Sequence, residues 1–158
     1  MSLKLALVSV VVRDYDQALA WYTRVLGFTK MEDTPLGNGK RWVVLSPGAG
    51  AGASLLLARA ATPDQESRVG NQTGGRVFLF LHTDDFAGIH GSLVAAGVRF
   101  DGPPRVESFG RVAVFFDLYG NKWDLVERTL QVPEETSVAG GRGPDEVVSG
   151  GLWNEELR

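Results

Sequence analysis

Leu5-Ala-Leu-Val-Ser-Val-Val-Val12, then Arg13-Asp14, then a run to Gly27 in which Ala18, Leu19, Tyr22, Val25 and Leu26 are apolar, is the stretch that decides the fold. The first eight residues are short and rich in β-branched side chains, as in a strand buried on both faces. Asp14 is a helix N-cap, and Gln17 three places on completes a capping-box-like pattern. The apolar residues that follow recur at helical spacing, and Gly27 can close the helix with a positive φ. The spacing predicts a helix over 15–26.

Arg41 to Ser46 reads as a strand, Pro47 to Gly52 as a hairpin connection and Ser54 to Ala58 as the next strand. A weak strand candidate follows Phe28, ahead of the turn-rich Thr34 to Lys40. The polar segment from Thr62 to Gly75 reads as a linker. Then the pattern restarts. Val77-Phe-Leu-Phe-Leu-His82 is a strand, and Asp84 or Asp85 caps a helix with Phe86, Ile89, Leu93 and Ala96 on one face. Gly97 ends that helix. Val98 to Phe100 begins a strand, Val112 to Phe116 is another, and Lys122 to Glu127 is the last. Asp14 and Asp84, Leu19 and Ile89, Gly27 and Gly97, Arg41 and Arg111, and Ser54 and Asp124 are each 70 residues apart. A repeat of this kind decides the architecture. The fold class is α+β: two tandem βαβββ modules, 5–58 and 77–128, forming a curled, open, barrel-like mixed sheet with helices outside. Residues 1–128 make one domain, and 129–158 form a C-terminal tail.

Two signatures carry a family likeness. Val12-Arg-Asp-Tyr-Asp-Gln-Ala-Leu-Ala-Trp-Tyr-Thr-Arg-Val-Leu-Gly-Phe28 resembles the opening strand and helix of the vicinal oxygen chelate superfamily, which holds glyoxalases, extradiol dioxygenases and fosfomycin- and bleomycin-resistance proteins. Phe116-Asp-Leu-Tyr-Gly-Asn-Lys-Trp-Asp-Leu-Val-Glu127 is similar to its closing hairpin, where Asp-Pro-Asp-Gly-Asn is the common form; here Leu118-Tyr119 replaces Pro-Asp. The likeness spans about residues 5–128. It implies a trough between the modules in which family enzymes chelate a divalent metal through His or Glu, and it implies a homodimer.

By that resemblance the ligand positions are Leu7, Ser54, Val77 and Asp124. Leu and Val have no lone pair, a neutral Ser hydroxyl is a poor ligand, and one carboxylate is too few for a site that needs three or more donors. The expectation is therefore no metal and no other cofactor. His82 reads as a strand-end residue facing the helices with Phe78 and Phe80. His90 reads as solvent-facing and Glu127 as out of phase with the trough.

Period-two alternation predicts a trough lined by Leu7, Ser9 and Val11, by Ser54, Leu56 and Ala58, by Val77, Leu79 and Leu81, and by Lys122, Asp124 and Val126. Apolar walls with a few polar groups make a small-molecule pocket, though the same list would suit a filled core. Asp124 is singled out: a carboxylate facing an apolar trough has its pKa raised by desolvation, which suits a base or an anchor for a cationic group. The plainer reading is a strand-end Asp in a salt bridge. Arg41 and Arg111, equivalent in the repeat, read either as paired anion clamps or as solvated strand-start arginines. Trp42 offers a stacking face. The candidate ligand-binding set is Ser9, Trp42, Ser54, Arg41, Arg111 and Asp124, with Asp124 the catalytic candidate.

The bulk properties agree. The 158 residues are 44% hydrophobic and 22% charged, with a net charge of −3 and no basic stripe, which argues against nucleic acid. The apolar start is too short to span a membrane, and no small-residue cleavage site follows it. The absence of Cys excludes disulfides and thiolate sites and fits a cytoplasmic protein. In the tail, Leu152 and Trp153 are expected to dock on this chain or a partner. The function expected is a glyoxalase/bleomycin-resistance-like small-molecule-binding protein, metal-independent and homodimeric. Its rivals are a metal-dependent lyase or extradiol-type dioxygenase, a metal-free enzyme with Asp124 as base, and an interaction module with a filled trough.

Overall fold

The computed structural model describes residues 1–50 and 52–129. The docking expected of Leu152 and Trp153 lies outside these residues. The first module contains β1 (Leu7–Val12), α1 (Tyr15–Arg24), β2 (Thr29–Gly37), β3 (Lys40–Ser46) and β4 (Ser54–Arg59). A short α2 (Pro63–Glu66) stands inside the segment read as a linker. The second module contains β5 (Val77–His82), α3 (Phe86–Ala95), β6 (Arg105–Glu107), β7 (Gly110–Phe116) and β8 (Lys122–Arg128). Each module is a four-stranded sheet, β1-β4-β3-β2 and β5-β8-β7-β6, and the first strand of each runs parallel to the last. The α+β class and the doubled βαβββ order are those of the repeat. No helix among the described residues is long and apolar enough to cross a membrane.

Alternation sorts the first sheet as read. Val10, Val12, Leu55 and Leu57 are buried in the core beneath α1, so Leu7, Ser9, Val11, Ser54, Leu56 and Ala58 take the opposite, concave face. The second sheet departs from the reading in one strand. The β5–β8 register slips between Val77 and Leu79, a β-bulge at Phe78. Beyond it Leu79 and Leu81 pair with Trp123 and Leu125 and pack on the core. Phe80, beside Asp124, is 49% exposed on the concave face. The assignment of Leu79 and Leu81 to the trough is thereby corrected, because one inserted residue inverts every later side chain.

The same insertion accounts for the second helix. Asp85, not Asp84, is its N-cap, accepting from Gly88 N at 2.9 Å. The buried face therefore runs through Phe86 and Leu93 while Ile89 is exposed. His90 is not a solvent-facing residue: its ring lies 5.7 Å from that of Phe86 and 4.7 Å from that of Phe100. Phe100 makes one isolated bridge to Phe115 instead of opening a strand; the strand opposite β7 is β6. The 70-residue offset also fails at the last strands. Leu7 pairs with Ser54 and Val77 with Lys122, so the counterpart of Ser54 is Lys122, and that of Asp124 is Leu56.

The modules meet around Trp123. Its ring lies 6.0 Å from Tyr22, 6.3 Å from Phe28, 6.1 Å from Phe78 and 6.1 Å from Phe115. Below this hub Asp117 is buried and takes Tyr22 Oη at 2.7 Å, which ties α1 to the closing hairpin of the other module. Tyr119, where the resembled motif has Asp, reaches across as well. Its hydroxyl accepts from Asp14 N at 3.1 Å and donates to Gln17 Oε1 at 2.9 Å, so it takes the place of the capping box's second bond. Gly70 fixes the segment between modules: its φ is +70°, and a Cβ there would overlap the Tyr119 carbonyl oxygen. Gly70→Ala is expected to lower the melting temperature by about 4–10 °C, from a cost of about 2–3 kcal/mol, read by thermal denaturation. Gly48→Ala, with open space at its Cβ, serves as the control and should change little.

Candidate functional site

The residues singled out in the sequence are divided by the sheets into two groups. Arg41 and Arg111 turn toward the helices. The Arg41 guanidinium meets Asp33 at 2.6 Å and Asp16 at 2.8 Å and lies over the Tyr15 ring. The hydrogen bonds from Arg41 lower the Asp33 pKa. Arg111 does the same in the second module, pairing with Glu127 and lying over the Phe86 ring. Glu127 also accepts from Phe86 N, the first cause of its lowered pKa, with Arg111 the second. The repeat had correctly made the two arginines equivalent. Their charges are met by carboxylates on the helix side, so they do not form anion clamps in the trough.

Ser9, Trp42, Ser54 and Asp124 are on the concave side. Trp42 follows the parity of Val44, whose partner is Leu56. Ser9 and Ser54 are not among the residues that line the two hollows described next. Each concavity is lined by one module alone. The first, about 330 Å³, draws on residues 11–65 and includes Trp42; the second, about 490 Å³, draws on residues 75–124 and includes Asp124. Each of these two hollows is open and is lined from a single module.

Asp124 is the distinctive group. It is 1% exposed, yet its Oδ1 has no hydrogen-bond partner among the described residues. Neighbours that line the same hollow are engaged elsewhere: Lys122 pairs with Asp101 at 2.9 Å, and Arg105 with Glu107 at 3.1 Å. Burial raises the Asp124 pKa, and the charge of Arg105 works against that rise. Phe80, Val77 and Val114 supply apolar wall. The plainer reading of a salt-bridged Asp does not hold for this side chain. The residue with this unpartnered oxygen lines a hollow of about 490 Å³, large enough for a small molecule.

The donor set does not fit a chelated divalent ion. Among the described residues no three His, Cys, Asp or Glu side chains converge to hold a metal. Around Asp124 the other carboxylates, Asp101 and Glu107, are already ion-paired, and Phe80, Lys122 and Val77 fill the positions beside it with side chains that cannot ligate.

Sequence reasoning missed Phe80, Arg105 and Glu107. A signal for Phe80 was present: choosing Asp85 as the cap leaves one more residue between strand start and cap than Leu7 to Asp14 allows, and that residue is the bulge. Arg105 and Glu107 lay beyond a Gly-Pro-Pro turn, and nothing in their spacing marked them.

A family model described as Glyoxalase/Bleomycin resistance protein/Dioxygenase superfamily matches residues 4–125. An uncharacterized protein of Shewanella frigidimarina is 49% identical over 127 residues, covering 80% of this chain and 94% of its own. Among solved structures, UcmS2 is 28% identical with a TM-score of 0.70, covering 80% of this chain and 98% of its own. TnmS3, an antibiotic binding protein from Streptomyces sp. CB03234, is 32% identical with a TM-score of 0.65, covering 82% and 98%.

Proposed function

The chain belongs to the glyoxalase/bleomycin resistance protein/dioxygenase superfamily, and from that premise we propose that it is a metal-independent small-molecule-binding protein of the bleomycin-resistance type. The ligand lies on the concave face of the second module and is anchored by Asp124. The observation that carries this reading is the unpartnered, buried Oδ1 of Asp124. A buried acceptor without a donor costs about 1–3 kcal/mol, and native folds rarely keep one without a use. A ligand ammonium, hydroxyl or amide N–H would supply the missing bond, and Phe80 would supply a face for an apolar or aromatic body. The likeness to an antibiotic binding protein at 32% identity supports binding as the role.

The metal-dependent lyase or dioxygenase reading is second, because among the described residues no three His, Cys, Asp or Glu side chains converge to hold an ion. A homodimer completes the proposal. The Asp124 hollow is open and Phe80 beside it is half exposed, so a second copy laid over Phe80 would cover it and close that hollow. Light scattering should give twice the chain mass.

Elemental analysis of protein purified without chelator or affinity nickel tests the metal claim. The expected content is below about a tenth of an equivalent of any transition metal. Near-stoichiometric metal would restore the enzyme reading.

A further inference from the structure

The two modules differ in how far their closing strands stay paired. In the second, β7 and β8 stay paired over seven positions, from Gly110 and Arg128 to Phe116 and Lys122. In the first, the β3–β4 ladder holds three pairs, ending at Val43 and Leu57. Past that point Lys40, Arg41 and Trp42 pair with β2 alone, and Ala58 and Arg59 with β1 alone. The sheet forks, and the hollow of about 330 Å³ is the gap between its prongs. On the β3 prong the freed Arg41 N donates to Tyr15 Oη at 3.2 Å.

The lining of this fork is one-sided in charge. Lys40, Arg41 and Arg59 line it, and no Asp or Glu does. Arg41 is neutralised by Asp33 and Asp16. Lys40 and Arg59 have no carboxylate partner among the described residues, and Arg59 lies 5.6 Å from the Tyr15 ring centre. Val11, Leu56 and Ala58 give an apolar floor, and Trp42, 36% exposed, stands at the lip.

We propose that this fork is a second binding site, separate from the Asp124 hollow, for a planar aromatic ligand that carries a carboxylate. The ring lies on Trp42 over the apolar floor, and the carboxylate meets the Arg59 guanidinium and the Lys40 ammonium. A guanidinium already stacked on an aromatic face keeps its fork of N–H donors ordered for a carboxylate. The charge preference is opposite to that of Asp124, so the two sites are told apart by probes of opposite sign.

Naphthoate and naphthylmethylamine are the probes, with calorimetry and tryptophan fluorescence as readouts on the full chain. Naphthoate is expected to bind, to quench tryptophan emission and to weaken as salt is raised. Arg59→Gln should weaken it by about tenfold or more, and Lys40→Gln should weaken it in the same direction. Asp124→Asn should leave naphthoate binding unchanged, and Trp42→Phe should remove most of the quench. The proposal is overturned if naphthoate does not bind at about millimolar concentration, or if both charge variants bind it as the parent does. Loss of naphthoate binding in Asp124→Asn would also overturn it, by placing the probe in the other hollow. Naphthylmethylamine binding that depends on Asp124 would in each case leave the reading of the second module standing.

Discussion

Replacing Asp117 by Ala is expected to cost more than about 4 kcal/mol and to lower the melting temperature by about 10 °C or more. The carboxylate is the centre of the closing hairpin. Oδ1 accepts from the backbone N–H groups of Tyr119 at 3.1 Å, Gly120 at 3.0 Å and Asn121 at 2.9 Å. Oδ2 accepts from Tyr22 Oη at 2.7 Å, Asn121 Nδ2 at 2.9 Å and Trp123 Nε1 at 3.2 Å. The six bonds come from both modules, and Trp123 and Tyr22 are each about 1% exposed. Truncation strands buried donors that water cannot reach, and each carries a desolvation penalty. Tyr22→Phe removes one donor of the six and should cost only about 1 kcal/mol. Burial, with the Asp117 charge beside it, pushes the Tyr22 phenol well above its ordinary pKa, so it remains a donor until strongly alkaline pH. Thermal melts of the two variants side by side check the ranking. A loss at Asp117→Ala no larger than that at Tyr22→Phe would remove Asp117 from its central place.

The second large effect has the opposite sign. Asp124→Leu is expected to stabilise the protein by about 1–3 kcal/mol near neutral pH, because it removes a buried charge whose Oδ1 has no partner. The hollow beside it leaves room for the larger side chain. Burial raises the folded-state pKa of Asp124 above its unfolded value. Its contribution to stability is therefore fully present below the unfolded pKa and is lost as pH rises through the folded one. The gain from Asp124→Leu should thus be largest at neutral pH and shrink on acidification, where the parent carboxyl is already protonated. Denaturant unfolding of both proteins across the mildly acidic range measures this. A gain that grows toward acid, or a loss at neutral pH, would mean that the carboxylate is satisfied in the fold. A site that costs stability when empty is what a binding protein keeps for its ligand.

Much of the fold was legible because local and long-range signals agreed. Asp14, Gln17 and Gly27 marked α1, and Val10 and Val12 against Ser9 and Val11 gave the concave face of β1. The second module was read one residue out of phase because a bulge carries no compositional mark. Phe78, Leu79 and Phe80 are alike in hydrophobicity, and only the distance to the helix cap betrays the insertion. The exact repeat of 70 placed the strands but mispaired them: Arg41 and Arg111 are true equivalents, whereas Ser54 and Asp124 are not. At the site, the sequence showed that Asp124 faces inward. It could not show that Lys122 and Arg105 turn to Asp101 and Glu107 and leave Asp124 alone, because side-chain pairing across β6, β7 and β8 is a tertiary outcome. The arginines were misread for the same reason. Their partners, Asp33 and Asp16 on one side and Glu127 on the other, are fixed by which face of the sheet each occupies.

The most direct measurement is a calorimetric titration of naphthylmethylamine into EDTA-treated protein and into Asp124→Asn, near neutral pH. Binding is expected to survive EDTA unchanged, to weaken by about tenfold or more in Asp124→Asn, and to decline on acidification as the carboxyl takes up its proton. Binding that needs added divalent metal, or that is indifferent to Asp124→Asn, would contradict that expectation.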